Sequence, residues 1–184
     1  MRKLSVFNFM SIDGYCKLAN DDISWNKHGA EEAAFSEENL KLGNILVFGR
    51  KTYQLMETFW TTEEAFKSLP VVAEGMNKAQ KIVFSNTLND VTWANTTLVK
   101  TKPEDEIIRL KSEAQKDMTI LGSGSLVTQL AQARLIDEYQ LMIYPVALGS
   151  GISIFNGLRD NLNLKLTDTR VFKSGTILLT YKQQ

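Results

Sequence analysis

The hydrophobic positions of this chain follow two different periods. Short runs of mostly apolar residues rich in Val, Ile and Phe predict strands, and longer stretches with apolar positions gathered on one side predict helices. Strand and helix patterns alternate along most of the chain, and only strand patterns follow near its end. The predicted strands are residues 4–10, 45–48, 81–85, 97–100, 118–121, 137–146, 162–172 and 176–181, and the predicted helices are residues 30–42 and 51–59, a segment that opens at Pro103, and residues 125–134.

This order of elements predicts the fold class. Strands that alternate with helices form a mostly parallel α/β sheet, and two closing strands around Lys173-Ser174-Gly175 form an antiparallel hairpin at its edge. Residues 61–78, around Pro70, are ambiguous and are interpreted as a short helix and a loop. No repeat, low-complexity tract or linker divides the chain, so we expect residues 1–184 to form a single domain.

Composition excludes several function classes. The 184 residues include 21 Lys+Arg and 21 Asp+Glu, so the chain has no net field that would attract nucleic acid. A single cysteine, Cys16, and a single histidine, His28, exclude an internal disulfide and a multi-histidine metal site, and we predict no metal. The amino terminus begins like a strand, and no segment approaches the ~20 apolar residues of a membrane span, so a cytoplasmic protein without a membrane partner is expected.

Two strand-to-glycine turns carry the most specific chemistry. Residues 45–53 and residues 118–126 each begin as a buried apolar run, break at glycine and restart as a helix. Such turns place backbone N–H groups at the positive end of a helix, where phosphate oxygens bind well. Because ligands of parallel sheets bind beyond the carboxyl ends of the strands, both turns are expected to face one crevice. Two phosphate-type turns suggest a ligand with more than one phosphate, such as a dinucleotide.

The first turn consists of Gly49, Arg50, Lys51 and Thr52. Arg50 offers a planar fork that suits a phosphate, and Thr52 adds a hydroxyl near the helix start. Two cations at a helix amino terminus oppose the helix dipole. Because the two cations raise the electrostatic energy of the helix end without a structural gain, a ligand site is favoured over a solvated helix end.

The second turn consists of Gly122, Ser123, Gly124 and Ser125. Its glycines allow a backbone to approach a pyrophosphate closely, and either serine could cap the following helix. A tight turn without a ligand fits the motif equally well. The turn is not a Rossmann fingerprint, because Val127 stands at the third glycine position, and no Gly-Lys-Ser/Thr of a P-loop follows.

Other candidates are single residues. Asp13-Gly14 follows the first strand and is either a turn or part of a ligand site. Ser85 ends the third predicted strand, where it could reach a phosphate. Trp25 could line a pocket or cover the edge of the core.

Several of these segments together resemble the dihydrofolate reductase superfamily. The resemblance spans nearly the whole chain, and the order and spacing of the motifs make it specific. Residues 45–53 look like that family's Gly-Arg-x-Thr turn, and residues 81–85 look like the strand that follows it. Residues 120–124 look like the family's second glycine turn, and residues 25–26 look like its early Trp-Asn pair. Residues 11–14 and 135–151 are similar to a sister branch, the C-terminal reductase domain of the bifunctional riboflavin-biosynthesis deaminase/reductase.

The resemblance implies a dihydrofolate-reductase-like three-layer fold, with helices on both faces of the sheet, that binds NADPH. It also implies roles for single residues, and the sister branch implies a homodimer. In the first turn, Gly49 would lie against the cofactor, Arg50 and Lys51 would bind its 2′-phosphate with help from Ser85, and Thr52 would bind the pyrophosphate. In the second turn, the pyrophosphate and the nicotinamide side would be bound by Gly122, Ser123, Gly124 and Ser125. The substrate would be bordered by Asp13, Gly14 and Trp25.

One departure concerns the catalytic acid. Dihydrofolate reductases carry a single carboxylate on the first helix, and the matching region of this chain offers only Glu31 or Glu32, which we expect to be solvated. Adjacent helix positions diverge by about 100°, so at most one of them could face a pocket. Asp13 is the other candidate for handling a substrate proton.

Three hypotheses follow. The leading one is an NADPH-dependent reductase that acts on a C=N or C=O carbon of a small heterocyclic or sugar-derived substrate, of the 5-amino-6-(5-phosphoribosylamino)uracil reductase type. The alternatives are a dihydrofolate reductase and a non-catalytic module that binds NADPH or another nucleotide.

Overall fold

A computed structural model describes all residues, 1–184, and shows an α/β fold with 14 elements. None of its helices combines the length and the apolar character needed to cross a membrane. The strands are β1 (Leu4–Ser11), β2 (Ile45–Gly49), β3 (Lys81–Phe84), β4 (Thr96–Val99), β5 (Met118–Leu121), β6 (Glu138–Tyr144), β7 (Leu164–Val171) and β8 (Ile177–Gln183). The helices are α1 (Ala30–Lys41), α2 (Arg50–Trp60), α3 (Glu63–Ser68), α4 (Pro70–Lys78), α5 (Pro103–Glu113) and α6 (Gly124–Gln132).

All strands join one sheet in the order β4-β3-β2-β5-β1-β6-β8-β7. The pairings from β4 through to β6 are parallel, and β8 is antiparallel to both β6 and β7. The predicted mostly parallel sheet with an antiparallel C-terminal hairpin is therefore confirmed.

Helices cover both faces of the sheet, as the three-layer prediction requires. On one face, Ile107 of α5 and Leu130 of α6 pack in a cluster with Leu4, Val6 and Met10 of β1. On the other face, Tyr53 of α2 and Met76 of α4 pack against β2 and β3, and Phe35 of α1 packs against β6 and β8. The middle strands read as continuous apolar runs because they are buried on both sides.

The prediction for residues 61–78 was incomplete. This segment forms two helices, α3 and α4, rather than a short helix and a loop. Thr62 caps α3 by accepting a hydrogen bond from the backbone N–H of Ala65 at 3.2 Å. Pro70 stands at the start of α4, where its missing N–H costs nothing, so this proline begins a helix.

Lys81, the first residue of β3, is fully buried at the carboxyl end of α4. Its Nζ donates hydrogen bonds to the carbonyl oxygens of Met76 at 2.8 Å, Asn77 at 3.2 Å and Ala79 at 2.7 Å. The ammonium also lies 4.5 Å from the ring centroid of Trp93. The last carbonyl groups of a helix have no hydrogen-bond donors within the helix, and the ammonium of Lys81 supplies those donors here.

Candidate functional site

A cleft of about 1540 Å³ opens at the carboxyl ends of β2, β3, β4 and β5 and continues between α1 and α2. Drug-sized ligands occupy pockets of roughly 300–1,000 Å³, so this cleft has room for a larger ligand. The residues predicted in both glycine turns line it, together with Ser85. The expectation of one shared crevice is confirmed.

The two glycine turns contact each other because β2 and β5 are neighbours in the sheet. The backbone N–H of Gly49 donates to Oγ of Ser123 at 2.8 Å, and the N–H of Ser123 donates to Oγ1 of Thr52 at 3.1 Å. Ser123 therefore holds the turns together and does not cap α6, which has no side-chain cap. The two turns form one rigid unit at the cleft floor.

Glycine is required where the turns meet. Gly122 has φ +63°, and a Cβ there would lie 3.1 Å from Cγ2 of Thr52. A Cβ on Gly49 would lie 3.3 Å from Oγ of Ser123. Side chains at these positions would separate the turns or fill the cleft.

Only some of the predicted turn residues have a backbone N–H group that is free to bind an anion. The N–H groups of Gly49 and Ser123 are used between the turns, as described above. The first residues of the two helices, Arg50 and Lys51 in α2 and Gly124 in α6, have no intrahelical acceptor, and no side chain caps either helix. Two uncapped helix amino termini thus flank the same part of the cleft.

Cationic side chains line one end of the cleft. Arg50 is exposed and makes no ion pair, whereas Lys51 pairs with Asp21 across the cleft at 3.3 Å. Lys100 and Lys102, which follow β4, line the same end and were missed by the sequence analysis. The topology could have found them, because the carboxyl end of β4 lies at the same edge of the sheet as the end of β3.

Ser85 lies at this cationic end, but its hydroxyl is partly used. Its Oγ accepts hydrogen bonds from the backbone N–H groups of Thr87 at 3.2 Å and Leu88 at 3.0 Å. The residue shapes the turn after β3. Its contact with a phosphate stays a prediction.

Asp13 organises a loop outside the cleft lining. Its carboxylate accepts hydrogen bonds from Oγ of Ser11 at 2.6 Å and from the N–H groups of Leu148 and Gly149, the latter at 2.7 Å. The bond from Ser11, with help from those of the loop, lowers the pKa of Asp13 below its usual value. Asp13 is therefore an ionised acceptor at neutral pH, and Gly14, with φ +87°, turns the chain beside it. Their roles toward a substrate stay predictions.

Trp25 packs in an aromatic cluster with Phe9 and Tyr144. Its ring lies 5.8 Å from that of Tyr144, and its buried Nε1 has no hydrogen-bond partner. Tyr144 bonds His28 Nδ1 at 3.0 Å. Trp25 covers the core edge in this structure, and a contact with substrate stays a prediction.

Neither candidate acid of α1 lines the cleft. Glu31 accepts from the backbone N–H of Lys173 at 2.8 Å. Glu32 was expected to be solvated and is instead 1% exposed, where it accepts a short hydrogen bond from Oγ of Ser174. Burial alone would raise the pKa of Glu32, but the bonds from Ser174 and Thr176 leave it below its usual value. Both acids thus fasten α1 to the β7–β8 turn.

Replacing Glu32 with glutamine tests this role through pH. The folded pKa lies below the unfolded value of about 4.3, so the stability from this carboxylate is present above that value and is lost as pH falls through the folded pKa. We expect the free energy of unfolding, from urea titrations between about pH 7 and pH 3, to fall more steeply for the wild type than for Glu32→Gln. Glu37→Gln, on the same helix, is the matched control and should follow the wild type. Identical slopes for wild type and Glu32→Gln would contradict this role.

The other half of the cleft is lined by apolar residues and, toward the amino ends of β1, β5 and β6, by the charged residues Lys3, Asp117 and Glu138. Phe7 and Leu46 form its floor, Leu55 and Met56 come from α2, and α1 contributes Ser36 together with Asn39 and Leu40. No carboxylate of α1 faces this half. It suits a small ring that binds by stacking and a few hydrogen bonds.

Comparisons with known proteins agree with this architecture. The sequence model of the family described as RibD C-terminal domain matches residues 2–178. The chain is 27% identical over 172 residues to YyaP of Bacillus subtilis (strain 168), a protein named as uncharacterized; the match covers 94% of this chain and 90% of YyaP.

Solved structures share the fold. A protein from Shewanella sp. PV-4 named for riboflavin biosynthesis superposes with a TM-score of 0.75 at 22% identity, over 99% of both chains. The diaminohydroxyphosphoribosylaminopyrimidine deaminase/5-amino-6-(5-phosphoribosylamino)uracil reductase of Thermotoga maritima superposes with a TM-score of 0.72 at 13% identity, over 100% of this chain and 57% of the bifunctional chain. This chain therefore corresponds in fold to part of that enzyme.

Proposed function

The chain belongs to the RibD C-terminal domain family, and from that premise we propose that it is an NADPH-dependent reductase of a small heterocyclic or sugar-derived substrate. The observation that carries the proposal is the contact between the two glycine turns in one cleft. A single diphosphate-linked ligand can reach both uncapped helix ends only because the turns touch.

The side chains around the turns fit this cofactor. The glycines let the two turns approach each other closely, since a Cβ on Gly122 would crowd Thr52. The cations at the β2, β3 and β4 end of the cleft suit an adenosine 2′-phosphate, with Arg50 nearest the turns and free of ion pairs. The end of β1 remains for the nicotinamide ring, and the half of the cleft between α1 and α2 remains for the substrate.

The mechanism divides the work between cofactor and protein. NADPH, when bound, would supply a hydride to the electrophilic C=N or C=O carbon, and solvent would supply the proton that the nitrogen or oxygen takes up. The protein would bind the phosphates through Arg50 and the α6 amino terminus, orient the nicotinamide ring over the end of β1, and hold the substrate between α1 and α2. Phe7, Leu46 and Met56 exclude water from the reacting carbon, which strengthens the electrostatic interactions there.

The cleft favours an aminopyrimidine over dihydrofolate. Reduction of dihydrofolate needs a proton donor near the substrate ring, and α1 presents Ser36 and Asn39 to the cleft instead of a carboxylate. Glu32 is held by Ser174, and the ionised Asp13 lacks a proton to give. We therefore propose a substrate of the 5-amino-6-(5-phosphoribosylamino)uracil type, which the Thermotoga maritima enzyme is named for reducing.

A parallel assay tests the function. NADPH oxidation is followed with the ribosylaminouracil phosphate, with dihydrofolate and with simple carbonyl compounds, and NADH serves as the control cofactor. We expect turnover only with NADPH and fastest with the ribosylaminouracil phosphate. Tight NADPH binding without turnover on any compound would support the non-catalytic module, and absence of NADPH binding would refute the proposal.

We also propose that the protein acts in the cytoplasm as a homodimer. The resemblance to the sister branch supports the dimer, and the single unpaired thiol of Cys16 suits a reducing compartment. Light scattering in solution measures the assembly directly.

A further inference from the structure

Asn8 is a polar residue in an apolar layer. It lies in β1 between Val6 and Met10, which point to the same face of the sheet and belong to the core under α5 and α6. Asn8 is only 6% exposed, yet its Oδ1 has no hydrogen-bond partner. It is also one of the residues that line the cleft.

A buried amide without a partner costs free energy, so its retention needs an explanation. A nearby buried polar residue shows the usual arrangement: the hydroxyl of Thr128 donates to the carbonyl oxygens of Ile154 at 3.2 Å and Asn156 at 3.1 Å. Asn8 has no such acceptor or donor within the chain. The cleft that Asn8 borders can supply that partner.

The strand order indicates which part of a ligand reaches Asn8. The cations lie at the ends of β2, β3 and β4, on one side of the β5 glycine turn, and β1 lies on the other side. The N–H of Gly122 approaches the carbonyl of Phe7, the residue before Asn8, at 3.4 Å. A dinucleotide with its 2′-phosphate among the cations and its pyrophosphate at Gly122–Ser125 therefore extends its nicotinamide half over β1.

We propose that the side-chain amide of Asn8 hydrogen-bonds the carboxamide of the nicotinamide ring and so sets the orientation of that ring. This inference rests on the proposed function. An amide offers one acceptor and two donors, and a carboxamide offers the complementary set. Asn8 is thus a positioning residue that recognises the end of the cofactor opposite to Arg50.

The experiment compares three ligands on purified protein by isothermal titration: NADP⁺, its 3-acetylpyridine analogue and adenosine 2′,5′-bisphosphate. The analogue keeps the ring carbonyl but lacks the amide NH₂, and the bisphosphate lacks the nicotinamide half. The variants are Asn8→Leu, close in size but apolar, and Asn8→Ser, in case leucine does not fold. Thr128→Val is the matched control, because it also removes a buried polar group but lies outside the cleft lining.

We expect Asn8→Leu to bind NADP⁺ about tenfold or more weakly, which corresponds to about 1.4 kcal/mol, and to bind the bisphosphate within about twofold of the wild type. The wild type should prefer NADP⁺ over the acetylpyridine analogue, and Asn8→Leu should lose that preference. Without ligand, Asn8→Leu should melt at or above the wild-type temperature, whereas Thr128→Val should melt lower and keep the wild-type ligand preferences.

Other outcomes overturn the inference in separate ways. If the wild type binds NADP⁺ and Asn8→Leu binds it equally well, only the role of Asn8 is wrong. A lower melting temperature of unliganded Asn8→Leu with unchanged affinities would mean that an internal water satisfies the amide. Equal weakening of NADP⁺ and the bisphosphate would mean general disruption of the cleft, and a wild type that binds neither would remove the proposed function as well.

Discussion

Replacing Arg50 with alanine is expected to weaken NADPH binding by roughly 10- to 100-fold while leaving the affinity for NADH nearly unchanged. Only NADPH carries the 2′-phosphate, and one charge-assisted hydrogen bond contributes about 1.5–3 kcal/mol. Arg50 is the cation at the glycine turns that makes no ion pair in the protein, so its guanidinium is free for the ligand. Fluorescence or calorimetric titrations with both nucleotides measure the difference.

The control for this prediction is Arg159→Ala. Arg159 is exposed, lies outside the cleft lining and makes no ion pair, so its loss changes the net charge equally without touching the site. Its variant should bind both nucleotides like the wild type. Equal losses of NADPH and NADH affinity in Arg50→Ala would refute the assignment of Arg50 to the 2′-phosphate.

Replacing Lys81 with methionine is expected to destabilise the protein by about 3 kcal/mol. Methionine keeps most of the side-chain length but removes the donors to the carbonyls of Met76, Asn77 and Ala79. For a chain of this size, that loss lowers the melting temperature by about 6–12 °C. Lys78→Met is the control, since Lys78 forms an exposed ion pair with Glu74, and its loss should cost under about 1 kcal/mol.

The same comparison has a pH dependence with a definite sign. Burial lowers the pKa of Lys81 from 10.5 to about 8. Between these values the unfolded chain binds more protons than the folded chain, so stability due to this group rises with pH. The free energy of unfolding of the wild type, relative to Lys81→Met, should therefore increase from pH 8 toward pH 10.5 in denaturant titrations. A constant difference would show that the amine is not desolvated as the structure indicates.

Much of the fold could be predicted because its signals are local. The apolar runs of β2 and β3 indicate strands buried on both faces, and Gly175, with φ +87°, marks the hairpin turn. The segment 61–78 was only partly interpreted, because Pro70 suits both a loop and the first position of a helix.

The residues of the candidate site were less predictable where their partners lie far along the chain. The glycine turns carry their own signal, but Lys100 and Lys102 become site residues only through the pairing of β3 with β4. Glu32 is expected from the sequence to be solvated, and the sequence gives no sign that Lys81 is buried. They are buried because Ser174 and the end of α4, respectively, supply hydrogen-bond partners that no local pattern reveals.

The contacts of Glu31 and Glu32 with the β7–β8 turn join positions 142 residues apart. During synthesis, α1 leaves the ribosome long before Lys173 and Ser174 exist, so the nascent chain carries a carboxylate whose burial has no partner yet. β1 likewise has neither of its neighbouring strands at first, because β5 and β6 are translated after it. Completion of this domain is therefore tied to synthesis of the β7–β8 hairpin, and a chain truncated before it should be prone to aggregation.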